Sequence, residues 1–388
     1  MFWPAPPPPE DVFIYAGGSR VAARNASIFH FDPEGNEITS GNWPLDHGTT
    51  DPYGHGAQVW GVAVGLTGNV YIGGQRNSGN ITTRKYSSDG TLLWSADNGS
   101  HGPSWHQGVL GIHIDSSENV YTVGGPMLRK YNANGTLLWS FDHGTMAGNP
   151  ALLRCVTTDS AGNVYVAGDR SLKGGYGLGE GPPGGPQMFY PSVRKFSSSG
   201  VEVANRGVGT GTWHAGGWPH DTRYRVHAID IDPLGGFVYV GGSGSAGNPS
   251  RQQKYDLQGN ELTLSDAAMN HGAPVRALRV GDDGSWYVGG DSSPWYPGGG
   301  SANDIVLRKI TSAGAHVTTG GWPISSGLGR VYGLALSPQG NIYACGQDSS
   351  GAPTLRQYNP SGFEVTANNW PIAYGIAVTY SVAIRQVY

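Results

Sequence analysis

The residues best equipped for chemistry in this chain are histidines and large aromatics, and they gather in a few stretches. Of 12 histidines, eight (His47, His55, His101, His106, His143, His214, His220 and His271) fall in segments rich in Gly, Asn, Asp and Trp. The pairs Trp105-His106, Trp213-His214 and Trp295-Tyr296, which do not recur unit by unit, and Tyr176, Phe189 and Tyr190 of one long Gly-rich stretch are the candidate binding residues. Aromatics supply large contact area at low entropic cost, so this is the chemistry of recognition. Other features recur at equivalent places: Asp46-His-Gly, Asp142-His-Gly and Asn270-His-Gly, and Trp-Pro at 43, 218, 322 and 370. A feature repeated unit by unit serves packing or turn closure. No HxH, HExxH or carboxylate–histidine cluster has ligand spacing, so no metal and no cofactor are expected. There is no nucleophile elbow, phosphate loop or carboxylate pair, and the expectation is a protein that is not an enzyme.

The elements that must position these residues are short strands. Val109–Gly144 holds four of them: GIHI, NVYTVGG, MLRKY and TLLWSF, separated by turn-forming clusters. The unit can be counted twice. A second-strand tyrosine leading into small residues recurs at Tyr15, Tyr71, Tyr121, Tyr165, Tyr239, Tyr287 and Tyr343. A third strand ends in an apolar residue with glycine four positions on, at Phe31/Gly35, Tyr86/Gly90, Tyr131/Gly135, Phe196/Gly200, Tyr255/Gly259, Ile310/Gly314 and Tyr358/Gly362. Both counts give seven, and a four-stranded unit repeated at roughly 40–50 residues is the mark of a β-propeller blade. The prediction is therefore all-β: a seven-bladed propeller of four antiparallel strands per blade over residues 10–388, after a Pro-rich arm at 1–9. Asp11–Gly18 is a second strand with no first strand before it. Residues 322–336 match 370–384 at a constant offset of 48, so Tyr380–Gln386 is expected to pair with Asp11–Gly18 and close the ring.

First strands align as GVAV at 61, GIHI at 111, RCVT at 154, AIDI at 228, ALRV at 277, GLAL at 333 and SVAI at 381, with a small leading residue in six of seven. His113, Asp230 and Arg279 intrude as polar residues and are expected to make hydrogen bonds between blades. First-to-second and third-to-fourth turns are short everywhere. The long connections Asp46–Gln58, Asn98–Gly108, Asp169–Ser192, Asn205–Arg225 and Asp291–Asn303 open on the other face and carry all the candidate binding residues.

Composition limits the functions. A net charge of −4 gives no electrostatic case for nucleic acid, and no run reaches membrane-span length. Cys155 and Cys345 lie three blades apart and are expected to be reduced thiols, which fits folding in a reducing compartment such as the cytoplasm. The first residues have no basic segment or apolar core of a secretory signal.

The blade text SAGNVYVAGDRS…VRKFSSSG and RKYSSDGTLLW resembles bacterial seven-bladed-propeller, NHL-type and quinoprotein-like repeats, over residues 11–388. The Gly-Thr-Leu-Leu-Trp ends at Trp94 and Trp139 are similar to quinoprotein dehydrogenase motifs. That family's eight blades, calcium-bound quinone and adjacent cysteines are not matched by seven units and two distant cysteines, so the cofactor does not carry over. A single Gly-rich, weakly charged propeller also looks similar to structural proteins of bacteriophage particles. The resemblance implies a tail- or capsid-associated disc whose partners are other structural proteins of an assembly or a host glycan. The alternatives are a lectin-like glycan-binding propeller and a propeller-fold lyase or glycosidase.

Overall fold

The computed structural model describes residues 12–20, 26–46, 58–76, 80–97, 108–143, 145–146, 149–150, 152–172, 188–203, 212–213, 225–243, 252–262, 274–291, 307–325, 329–348, 350–373 and 376–386. These form seven antiparallel sheets, six of four strands and one of three, plus a two-stranded hairpin at Thr145–Met146 and Asn149–Pro150. The three-stranded sheet contains Val275–Val280, Trp286–Gly290 and Leu307–Ile310. Its expected fourth strand is reduced to a single bridge, Leu307 to Ile324.

The first strand of the first sheet does come from the far end of the chain. Ile376–Gln386 lies antiparallel to Val12–Arg20, with Tyr15 opposite Ala383, and both strands run longer than the expected 380–386 and 11–18. The inner strands are then Ile376–Gln386, Gln58–Val64, Gly111–Ile114, Leu152–Thr158, Arg225–Ile231, Val275–Val280 and Arg330–Leu336. Each packs on the inner strand of the next sheet in that order, and Arg330–Leu336 packs in turn on Ile376–Gln386.

Both repeated features have a physical reason. All seven second-strand tyrosines are buried. All seven hairpin glycines have φ between 81° and 86°, a region closed to most side chains. The apolar core lies between sheets: Tyr15, Ile28 and Trp43 of the first sheet, for example, meet Val59, Val62 and Ile72 of the second.

Tryptophans fasten one sheet to the hairpin of the next. Trp43 Nε1 donates to Ser88 O (2.9 Å), Trp94 to Ala133 O (3.0 Å) and Trp139 to Ser198 O (3.1 Å). Trp322 donates to Pro360 O (3.2 Å), and Trp370 to Pro33 O (3.0 Å), which ties the last sheet to the first. At the fourth and fifth sheets, lysines reach across instead: Lys195 Nζ to Leu257 O (3.0 Å) and Lys254 Nζ to Ser312 O (3.2 Å). The expected packing role of Trp-Pro is met at 43, 322 and 370; the copy at 218 is outside the described residues.

Glu118 departs from the repeat. It occupies the turn position that Gly68, Gly162, Gly235, Gly284 and Gly340 fill in other sheets, and has φ 56°. Its carboxylate compensates by accepting from Thr67 Oγ1 and N, from Tyr71 OH (2.8 Å) and from Lys85 Nζ (3.2 Å) of the neighbouring sheet. Burial alone would raise its pKa, but these donors hold it down to about 2.

Candidate functional site

A cavity of about 340 Å³ lies among the seven inner strands, and every one of them contributes lining. Its geometry follows from a repeated bulge. Strand registers skip one residue at Trp60, Arg154, His227, Arg276, Tyr332 and Tyr380. A bulge leaves the extra residue unpaired and re-aims its side chain, here to the cavity wall. The small residues that follow (Gly61, Cys155, Ala228, Ala277, Gly333 and Ser381), with Gly111 in the third sheet, are where the strands crowd together.

This register corrects one expected alignment. Arg154 is the bulged residue and Cys155 pairs with Ala167, so the fourth sheet reads CVTT from 155. The leading position is then small in all seven sheets. Sequence reasoning missed the bulged residues, although five of the six carry an apolar-bulky-small signal: Val-Trp-Gly, Leu-Arg-Cys, Val-His-Ala, Val-Arg-Ala and Val-Tyr-Gly.

The bulged residues stand in the first half of the inner strands. Four polar tips are held within their own sheets. Trp60 Nε1 donates to Gln58 Oε1 (2.8 Å), and His227 Nε2 meets Ser243 Oγ (2.8 Å). Arg276 grips the buried Asp291 with two bonds of 2.7 Å, and Tyr332 OH donates to Gln347 Oε1 (3.3 Å). A strip joins three sheets: Arg276 Cζ is 5.6 Å from the Tyr332 ring centre, and Tyr332 lies 5.7 Å from Tyr380 at 57°. Burial raises the Tyr380 pKa, with the Tyr332 hydroxyl adding to it.

Deeper in, two of the three polar intrusions link neighbouring sheets as expected. His113 Nε2 meets Thr158 Oγ1 of the next sheet (2.9 Å). Burial, and then the positive charge of Arg279, lower its pKa to about 4 against the opposing pull of Asp115, so the imidazole is neutral at pH 7. Asp230 accepts from Ile231 N and, across the sheet boundary, from Val280 N, both at 3.0 Å. Burial raises its pKa, opposed by Arg279 and those two N–H groups. Arg279 differs: it is exposed to the cavity, and its Nη1 donates only 3.2 Å back to Leu278 O of its own strand.

Most residues singled out from the sequence lie elsewhere. Trp105, His106, Tyr176, His214, Trp295 and Tyr296 are outside the described residues. Phe189, Tyr190 and Trp213 were expected in loops but belong to strands. The hairpin of the fourth sheet continues to Leu172 opposite Met188, placing Ser171 opposite Phe189 and Arg170 opposite Tyr190. Trp213 pairs with Val193 in a short fourth strand, Thr212–Trp213. Backbone pairing extended both elements past the point where turn-rich composition suggested a break. Among the repeated histidines, His143 is buried, with its backbone N–H donating to Pro126 O (2.7 Å). Neither Cys155 nor Cys345 is in a disulfide, and burial raises the Cys345 pKa. Among the described residues no three His, Cys, Asp or Glu side chains could share a metal ion, and no helix is long and apolar enough to cross a membrane.

No family model matches the chain, and no curated protein matches it. Solved structures do. A candidate 6-phosphogluconolactonase from Bacteroides uniformis is similar at TM-score 0.59 and 12% identity, over 97% of this chain and 99% of that one. A Lactobacillus plantarum protein is similar at 0.58 and 12% identity, over 97% and 100%. The Neurospora crassa Pan2 WD40 domain is similar at 0.51 and 12% identity, over 87% and 82%. The fold is a β-propeller. Identity this low carries the architecture and none of the chemistry.

Proposed function

We propose that the chain is a closed seven-bladed propeller serving as a rigid, non-catalytic binding disc, which docks a macromolecular partner on the face where the long connections emerge. Ring closure is supported by the sequence of inner-strand contacts and by the Trp370–Pro33 clasp. The observation that carries the functional reading is the rim on that face: Trp60, Arg276 and Tyr332, held by side-chain hydrogen bonds, and Tyr380, packed ring to ring on Tyr332. Tyr, Trp and Arg are the residue types that dominate interface energetics. Asp230, the one carboxylate among the described lining residues, is engaged by two backbone N–H groups, which favours binding over acid–base chemistry.

The narrower form of this reading is a component of a bacteriophage tail or capsid, supported by the compositional likeness drawn from the sequence. A second reading, glycan binding, is favoured by the Tyr332–Tyr380 pair, whose faces suit a sugar ring. The test is untagged purification from the source, with sizing and mass spectrometry of co-eluting proteins. Co-elution in a large particle, lost when Trp60 and Tyr332 are changed to Ala, supports the docking disc. A lone monomer whose only ligands on a glycan array are sugars transfers the function to the second reading.

A further inference from the structure

We propose that the axial cavity is a binding site for a small acidic sugar, a monosaccharide-sized body carrying one carboxylate or phosphate, with Arg279 as its anchor. This goes beyond macromolecular docking and does not depend on it. The polar residues of the inner strands differ in what holds them. His113 and Asp230 are explained by bonds that join neighbouring sheets. Arg279 is exposed to the cavity, its Nη1 donates to the Leu278 carbonyl of its own strand, and among the described residues it makes no salt bridge.

The charge around it is one-sided. The cavity lining includes Arg154, Arg276 and Arg279 against the single carboxylate of Asp230. Asp291 pairs with Arg276 directly, whereas Asp230 is hydrogen-bonded to two backbone N–H groups and attracts Arg279 without a direct salt bridge to it. Arg279 therefore presents a guanidinium to an open-mouthed cavity, where a fork of N–H donors matches a carboxylate or phosphate.

Size and wall chemistry define the rest of the ligand. At about 340 Å³ the cavity is at the small end of ligand pockets. Tyr332 and Tyr380 line it with amphipathic rings, Thr157 adds a hydroxyl, and Ser381, whose Oγ accepts from Val62 N (3.0 Å), keeps a hydroxyl proton to donate. An acid on a hydroxyl-rich ring satisfies the cation, the hydroxyls and the aromatic faces together.

Calorimetric titration of the full chain at low salt tests this, with glucuronate, glucose 1-phosphate, glucose and inorganic phosphate as probes. At least one charged sugar should bind about tenfold or more tightly than glucose, and Arg279→Gln should remove that advantage while leaving the urea midpoint unchanged. Preference between glucuronate and glucose 1-phosphate assigns the acid group. Equal binding of glucose and both acids overturns the proposal, as does retention of affinity in Arg279→Gln. Inorganic phosphate binding as tightly as either sugar overturns the sugar component. None of these outcomes bears on whether a macromolecule docks on the rim.

Discussion

Two glycines separate the two reasons a hairpin here requires glycine. Gly135 has φ 83°, and a Cβ built on it would lie 2.7 Å from Cδ2 and 2.9 Å from Cγ of Trp94, the indole that fastens the preceding sheet. Gly351 has nearly the same backbone, φ 85°, but a Cβ there would meet nothing within 4 Å. Gly351→Ala therefore measures the backbone cost alone, about 1–2 kcal/mol for a left-handed alanine. Gly135→Ala adds overpacking against a ring that cannot retreat without losing its 3.0 Å bond to Ala133 O, about 1–3 kcal/mol more. The assay is urea unfolding of both variants, with Trp94→Leu and the Gly135→Ala/Trp94→Leu double variant completing a cycle. Gly135→Ala should be the more destabilising, and the excess should vanish once the indole is gone. Equal losses at the two glycines, or additivity in the cycle, would refute the claim that the indole clasp dictates glycine.

Glu118→Gln should destabilise the protein by about 3 kcal/mol at neutral pH, because it leaves Lys85 buried beside a neutral amide. The Glu118 carboxyl is depressed to about 2 in the folded state, so its contribution is complete above the ordinary carboxylate range and fades as pH falls towards 2. Urea midpoints of both proteins should thus converge on acidification. Arg276→Ala should cost about 3–5 kcal/mol by stranding the buried Asp291, and adding Asp291→Ala should restore a measurable part, read from denaturation midpoints. Val382→Asp places a charge at a fully packed site on the strand paired with Val12–Arg20. It should cost more than about 4 kcal/mol, seen as loss of soluble protein on expression.

The repeat was legible in the chain because each copy solves the same local problem. A tyrosine is buried in the first half of every second strand, and a glycine turns every outer hairpin, so both survive as countable marks. The odd inner strand at the C-terminal end was legible for the same reason: 370–384 repeats 322–336, and only Val12–Arg20 lacked a partner. The candidate site was read less well. The sequence directed attention to Trp105, Trp213 and Trp295 and their neighbours, because rarity and loop composition are visible along one dimension. The cavity wall draws three or four residues from each of seven distant strands, and no spacing within the chain brings Trp60, Arg276 and Tyr380 together. Whether a residue in an inner strand faces the cavity or the next sheet depends on the bulge, and one skipped residue moves Arg154 from the pairing register to the wall. The sequence by itself determined the strands, their turns and their repetition, through local propensity and burial. Tertiary structure alone decided which polar residues of the inner strands are consumed by bonds between sheets, as His113 and Asp230 are, and which one, Arg279, is left facing the cavity.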